Sequence, residues 1–344
     1  MIYSFQLLPH SNIRYRQAQD QLALKELMCL LSVLDIPETP RSVTLGGCTF
    51  LQLETEVLTE RQLRVLSFHS LLLMIWQQEN GAYTPIPAAK PSAFPEDLSE
   101  VLRYKGKTSP AFTRMMMNCA LSAAGWPDRK ITVLDPLAGR GTTLLCALED
   151  GHDALGIESR AAEVREWDTY MGRYCTFHRF KHEREASSRT VRGRGVPVIS
   201  YRLSADREAW KHGQAGQAVF AACDTVCAPE LFRKAPPDIM VTDLPYGVQH
   251  APSAESMITD FPAFLSRVLP AWRRTLPDGG ALAMSFNTFT LKKADVLDAL
   301  SHAGFTPLTE QPYDSFEHDV EQAVRRDFVV ALAGGRASSK EVSL

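Results

Sequence analysis

Ile131-Thr132-Val133-Leu134-Asp135-Pro136-Leu137-Ala138-Gly139-Arg140-Gly141 is an apolar run that closes on an acid and a proline, then opens into two glycines. Residues 131–135 read as a buried strand, and the residues after Gly141 as a helix. Glycine lets backbone approach a ligand closely, and a helix N-terminus offers unpaired N–H groups beside it. A second strand over 154–158 closes on Glu158, 23 residues after Asp135, where a carboxylate can accept hydrogen bonds from both hydroxyls of a ribose. Nicotinamide-binding Rossmann folds also place an acid there. This loop lacks the third glycine of GxGxxG, however, and Asp135-Pro136 before the turn suits an amino-acid moiety better than a pyrophosphate.

Outward from the loop, strand and helix alternate. A helix over 161–174 is followed by strands at 218–222 and 238–243 and a helix over 258–274 that ends near Pro277-Asp278-Gly279-Gly280. A fifth strand at 281–286, a helix over 292–303 and strands at 306–310 and 327–332 complete the pattern. Apolar runs between helices signal a parallel sheet covered on both faces, with ligands at the carboxyl ends of its strands. Between 177 and 216 lies a long excursion, with a short strand expected at 198–203; a connection of that length is more often functional or mobile than a plain crossover. It holds the clearly basic stretch, six Lys or Arg against two Glu from Arg179 to Arg194.

The strand at 238–243 runs into Asp243-Leu244-Pro245-Tyr246-Gly247. An exocyclic amine on a nucleobase is a poor nucleophile, because its lone pair is delocalised into the ring. Asp243 and the Leu244 carbonyl can each accept one amino hydrogen and so aim that lone pair. Pro245 fixes its own φ and biases Leu244 toward an extended geometry. Tyr246 can stack on the base, a contact worth roughly 1–3 kcal/mol. The bland reading of the same residues is a strand end followed by a Pro-Tyr-Gly turn. Asp224, after the third strand, is a natural partner for an adenine amino group, or equally a turn-forming aspartate.

Residues 1–90 read as a smaller α+β unit. A strand is expected at 3–8, a helix over 15–34 and a strand at 43–53; Thr59 with Gln62 forms a capping-box pattern ahead of an apolar helical run over 63–76. The proline-rich segment from Tyr83 to Pro95 suits a linker. At 344 residues, 45% apolar and 22% charged, the chain has the composition of a soluble globular protein. No apolar run reaches the roughly 18 to 20 residues of a bilayer span, and the start lacks signal-peptide features, so a cytoplasmic location is expected. Seven scattered cysteines argue against a disulfide framework, and neither Cys223/Cys227 nor His178/His182 completes a metal site. A formal net charge of -3 argues against a wholly basic nucleic-acid coat and leaves room for local patches.

Together the glycine loop, Glu158, Asp224 and the 243–246 tetrad resemble class I amino-methyltransferases with a DPPY-type motif. Within these the chain is most similar to tRNA and rRNA guanine-N2 methyltransferases that carry a THUMP domain, with Gly106-Lys107-Thr108-Ser109-Pro110-Ala111-Phe112-Thr113-Arg114 as further support. The resemblance covers roughly residues 100–335; Leu244 replaces the first proline of DPPY, the first 90 residues do not read as a clear THUMP module, and the 177–216 excursion is outside the common core. It implies an α/β fold, a Rossmann-like seven-stranded class I methyltransferase sheet following a smaller N-terminal domain that could bind RNA. It implies S-adenosylmethionine as cofactor, held by Asp135, Leu137, Ala138, Gly139, Gly141, Thr142, Glu158 and Asp224. Asp243, Leu244, Pro245 and Tyr246 would form the catalytic tetrad, and the segment around Thr108 to Phe112 would border the methionine end of the cofactor. Arg179, Lys181, Arg192 and Arg194, with Tyr246, would contact a nucleic-acid substrate, RNA rather than DNA. N6-adenine methylation uses identical tetrad chemistry, and a non-catalytic cofactor- or nucleic-acid-binding module is the reading from another class.

Overall fold

The computed structural model describes residues 1–344 except 10–12, 88–89, 91, 105, 246–259 and 335–344. Among the described residues no helix is long and apolar enough to cross a membrane. The first unit runs β1 (Ile2–Leu7), α1 (Ile13–Val33), β2 (Arg41–Leu45), β3 (Cys48–Glu54), α2 (Glu60–Leu66), β4 (Leu72–Glu79) and β5 (Ala82–Ile86). Its strands form an antiparallel sheet in the order β2-β3-β1-β4-β5.

Two expectations change here. The capping box forms, with the Thr59 side chain accepting from Gln62 N–H and the Gln62 side chain accepting from Thr59 N–H. The helix nevertheless stops at Leu66, and the second half of the apolar run becomes β4. The fully buried Glu26 of α1 accepts from Ser70 N–H at 2.8 Å and Ser70 Oγ at 2.5 Å, which fixes a turn where the helix would have continued. The start of the proline-rich segment is likewise β5 rather than linker, with Pro85 at the sheet edge where no ladder donor is missed.

The second unit runs α3 (Pro110–Ala124), β6 (Thr132–Asp135), α4 (Thr142–Glu149), β7 (Asp153–Glu158), α5 (Ala161–Phe177), β8 (Lys181–Val191), β9 (Arg194–Ser204), α6 (Arg207–Lys211) and β10 (Gly216–Ala222). A short 3₁₀ turn (Thr225–Cys227) leads to α7 (Ala228–Leu231), β11 (Ile239–Asp243), α8 (Phe261–Thr275), β12 (Ala281–Asn287), α9 (Lys293–His302), β13 (Phe305–Pro307), β14 (His318–Glu321) and β15 (Val324–Ala333). The strand order is β13-β15-β12-β11-β6-β7-β10-β9-β8. From β10 to β12 neighbouring strands are parallel; β15 enters antiparallel between β12 and β13. Strands β10-β7-β6-β11-β12-β15-β13 are thus the Rossmann-like seven-stranded sheet. The order reverses between β6 and β11, the switch point at which open α/β sheets hold ligands.

The long excursion, expected to carry one short strand at 198–203, carries two strands. It is the hairpin β8–β9, closed by Arg192 and Gly193, both at positive φ as a tight two-residue hairpin turn requires. Strand β9 pairs antiparallel with β10 and so extends the central sheet.

Helix α3 is buried almost throughout, since one side faces β11, β12 and β15 and the other faces α1. Asn118 on α3 donates to Glu26 of α1 and to the Phe68 carbonyl, each at 2.7 Å. One buried apolar cluster therefore joins Tyr3 and Leu27 to Phe112, Met116 and Val330. This packing holds the N-terminus of α3, and the segment before it, at the carboxyl edge of the sheet.

Candidate active site

The loop after β6 is built by its own hydrogen bonds. Both Asp135 oxygens face inward: Oδ1 accepts from Leu137 N–H and Thr242 Oγ1, each at 3.0 Å, and Oδ2 accepts from Thr143 Oγ1 at 2.6 Å. Burial pushes its carboxyl up to about 6 despite those donors. Asp135 thus ties the loop to α4 and to β11, rather than reaching outward. Ala138 N–H donates to the Ile157 carbonyl at 2.9 Å, and Gly139 N–H to Glu158 Oε2 at 3.1 Å, so the loop is laid across the end of β7.

The two glycines differ in surroundings. Gly139 has φ +52°, and a Cβ there would meet nothing within 4 Å. Gly141 has φ +78°, and a Cβ there would lie 2.6 Å from Cδ1 of Trp167. The Trp167 indole is fully buried, edge-on to Tyr201 and Phe220, and its Nε1 has no hydrogen-bond partner among the described residues. One glycine is needed for a packed wall, the other borders open space. Leu137 is half-buried and Ala138 buried. Thr142, buried at the start of α4, has its hydroxyl 2.9 Å from that of Tyr104. Arg140 lies over the Tyr104 ring, 5.1 Å from its centroid, and pairs with Glu163 at 2.6 Å.

Glu158 closes β7 beside this open space, its Oε1 accepting from Arg160 N–H at 2.8 Å and its Oε2 from Gly139. Asp224 caps the 3₁₀ turn, accepting from Val226 N–H at 3.0 Å, and forms a half-exposed ion pair with Arg267 at 2.8 Å. The turn-forming role is therefore filled. Each Asp224 oxygen keeps a further acceptor position, and an exposed ion pair of this kind is worth only about 0–1 kcal/mol. The open space over Gly139, the acid at the end of β7 and the helix N-terminus beyond Gly141 fit an adenosyl group bearing an amino-acid chain.

Asp243 sits one strand away, at the carboxyl end of β11. Its Oδ2 accepts from Thr108 Oγ1 at 2.6 Å, its Oδ1 accepts a short hydrogen bond from Ser285 Oγ, and Arg326 Nη2 lies 3.6 Å from Oδ2. Thr108 comes from the segment before α3, Ser285 from the facing residue of β12, and Arg326 from β15. The Arg326 guanidinium is buried on the Phe112 ring, 4.6 Å from its centroid. His318, on β14, packs against the same Phe112 ring with centroids 5.3 Å apart, and burial drops its imidazole to about 4. Leu244 is buried and its N–H donates to the Ser285 carbonyl at 2.9 Å, which fixes the strand end; Pro245 is exposed. Tyr246 lies outside the described residues.

The structure thus places the glycine loop and Asp243 side by side, linked by the bond from Thr242 to Asp135. Sequence reading missed Ser285, Arg326 and Trp167. A serine on the next strand and an arginine on an antiparallel strand carry no local signal of their partnership.

The four basic candidates separate. Arg192 and Arg194 are exposed at the turn of the β8–β9 hairpin, which projects at the carboxyl edge of the sheet. Arg192 there binds Glu230 at 2.8 Å and the Val226 carbonyl at 3.1 Å. Arg179 and Lys181 lie at the other end of an 11-residue strand, roughly 33 Å away at strand rise. Lys181 instead lies 5.5 Å from the centroid of the Trp210 ring.

No family model matches the chain, and no curated protein matches it. Solved structures do. The chain is similar to TrmN from Thermus thermophilus at 15% identity and a TM-score of 0.38, with 86% of this chain and 59% of that one covered. It is similar to the Thermus thermophilus 16S rRNA N2 methyltransferase RsmC, in complex with AdoMet and guanosine, at 16% identity and a TM-score of 0.38, covering 85% and 57% respectively. It is also similar to the Burkholderia thailandensis 1,6-didemethyltoxoflavin-N1-methyltransferase at 17% identity and a TM-score of 0.35, covering 66% and 80%. The chain spans less than two thirds of the length of TrmN and of RsmC. At such identities the function must be read from this chain's own side chains.

Proposed function

We propose that the chain is an S-adenosylmethionine-dependent methyltransferase acting on the exocyclic amine of a nucleobase, guanine N2 in tRNA or rRNA. The observation that carries this reading is the Asp243 carboxylate, held by Thr108, Ser285 and Arg326 at the switch point beside the glycine loop. S-adenosylmethionine supplies an electrophilic methyl group on its sulfonium. Gly139, Gly141 and the N-terminus of α4 would cradle its amino-acid end, and Glu158 its ribose.

Asp243 and the Leu244 carbonyl each accept one hydrogen of the target amine. That turns the nitrogen lone pair out of the ring plane and toward the methyl carbon. As the N–C bond formed and the S–CH3 bond broke, leaving S-adenosylhomocysteine as a neutral thioether, positive charge would grow on nitrogen beside the Asp243 carboxylate. A proton then leaves the nitrogen for solvent. Pro245 keeps the Leu244 carbonyl in an extended backbone, and Tyr246 would stack on the base. Positioning of this kind can supply on the order of 7–11 kcal/mol at best. Arg192 and Arg194, at the carboxyl edge, would meet phosphates; Arg179 and Lys181 would do so only for a long substrate. Residues 1–90 would act as an accessory RNA-binding unit.

The test is transfer of labelled methyl to total RNA and to genomic DNA, followed by nucleoside mass spectrometry. N2-methylguanosine is the expected product; N6-methyladenosine would move the reading to adenine. Asp243→Ala should abolish transfer while S-adenosylhomocysteine still binds, and Glu158→Ala should weaken that binding. Wild-type turnover in Asp243→Ala would refute the site.

A further inference from the structure

Two consecutive arginines on β15 point to opposite sides. Arg326 goes inward to Asp243, and Arg325 goes outward, where its guanidinium lies 5.7 Å from the centroid of the Phe289 ring. Phe289 is 59% exposed, and it follows β12 by two residues at the same carboxyl edge as the catalytic candidate. Ser285, the partner of Asp243 across β11 and β12, is only four residues back, a chain distance of at most about 13 Å.

A single exposed phenylalanine is ordinary on a protein surface. The backbone that carries this one is held in place. Asn287, only 2% exposed, accepts from the N–H groups of both Phe289 and Arg325 at 3.2 Å and donates to the Ala323 carbonyl at 3.1 Å. Thr288 N–H donates to the Arg325 carbonyl at 2.7 Å. Arg325 is steadied by Asp319 at 2.9 Å, an exposed pair that leaves the guanidinium in reach of solvent. One buried amide therefore fixes the backbone that presents an outward aromatic ring and a cation side by side at the lip of the site. Flat apolar face plus adjacent positive charge is what a nucleotide offers complements to, through base and phosphate.

We propose that Phe289 and Arg325 form a stacking lip for the nucleotide adjacent to the target base, so that the substrate is an unpaired stretch of polynucleotide and not a free nucleoside. The inference rests on the nucleobase reading of the same site. It requires that the aromatic ring contribute to binding independently of methyl transfer, which makes the two separable.

The experiment is fluorescence anisotropy of a short, unstructured, end-labelled oligoribonucleotide titrated with the full chain, without cofactor. Phe289→Ala should weaken binding about 5- to 100-fold, and Phe289→Trp should hold it within about threefold, because stacking is what the ring supplies. Arg325→Gln should reduce the slope of log affinity against log salt by about one. Both Phe289 variants should melt with the wild type, the ring being mostly in solvent. Equal affinity of wild type and Phe289→Ala overturns the proposal, as does a wild type that does not bind the oligonucleotide. Absence of any methylated nucleoside in the transfer assay, with Phe289-dependent binding intact, would instead overturn the catalytic reading alone.

Discussion

Alanine at Gly139 and at Gly141 should do different damage, although the two glycines are two residues apart in one loop. Both have positive φ, +52° and +78°, and forcing a side chain into that region costs roughly 1–2 kcal/mol. At Gly139 that strain is the whole folding cost, because the new methyl meets nothing within 4 Å. At Gly141 the methyl lies 2.6 Å from Trp167, and that indole, fully buried between Tyr201 and Phe220, has little room to yield. Overpacking of this kind adds roughly 1–3 kcal/mol, so Gly141→Ala should lose about 2–5 kcal/mol in total. Ligand affinity should depend on the other site. The open space at Gly139 is where an amino-acid-bearing nucleoside would lie, and a methyl there should weaken S-adenosylhomocysteine by tenfold or more, about 1.4 kcal/mol. Urea unfolding followed by circular dichroism gives the first quantity and isothermal titration the second. Wild-type affinity in Gly139→Ala would mean that no ligand rests on this loop. A Gly141→Ala protein no less stable than Gly139→Ala would refute the packed-wall argument.

Two further outcomes follow from the Asp243 neighbourhood. Thr108→Val removes a 2.6 Å hydrogen bond to a carboxylate, an interaction worth about 1.5–3 kcal/mol, so kcat should fall about 10- to 100-fold while S-adenosylhomocysteine affinity is retained; an unchanged kcat would show that Asp243 needs no such brace. His318 has its imidazole lowered to about 4 from 6.5 by burial. Its neutral form stabilises the fold above pH 6.5, and that contribution is lost as pH falls toward 4, on the order of 3 kcal/mol. Asp135, raised to about 6 by burial, acts in the opposite direction over part of that window, but it is common to wild type and variant. The difference in unfolding free energy between wild type and His318→Gln, followed from pH 7 to pH 4, isolates the histidine; a pH-independent difference would refute it.

Much of this was legible without coordinates, for a local reason. Gly139 and Gly141 after an apolar strand, Glu158 at the end of the next, and Asp243 at the end of another are each signalled by neighbours in the chain. Alternating buried strands and helices predicted the parallel sheet, and Thr59 with Gln62 predicted a cap that forms as written. Apolar content alone could not divide residues 63–76 into α2 and β4, because a run of that kind suits either; a buried carboxylate on α1, Glu26, makes the division. Strand β8 was hidden for the opposite reason. It is an edge strand exposed along nearly its whole length, with no apolar alternation to reveal it.

The sequence by itself determined the order of elements, the glycines that the loop conformation demands and the acids that close its strands, since each depends on dihedral preference and periodicity within a few residues. Tertiary structure alone decided who faces whom. It made Asp135 an internal tie and Asp224 a cap, carried Arg192 and Arg194 to the carboxyl edge of the sheet while leaving Arg179 and Lys181 at the far end, and brought Thr108, Ser285 and Arg326 from three separate segments onto one carboxylate. Strand pairing and buried charge set those relations, and both act between residues that are distant in the chain.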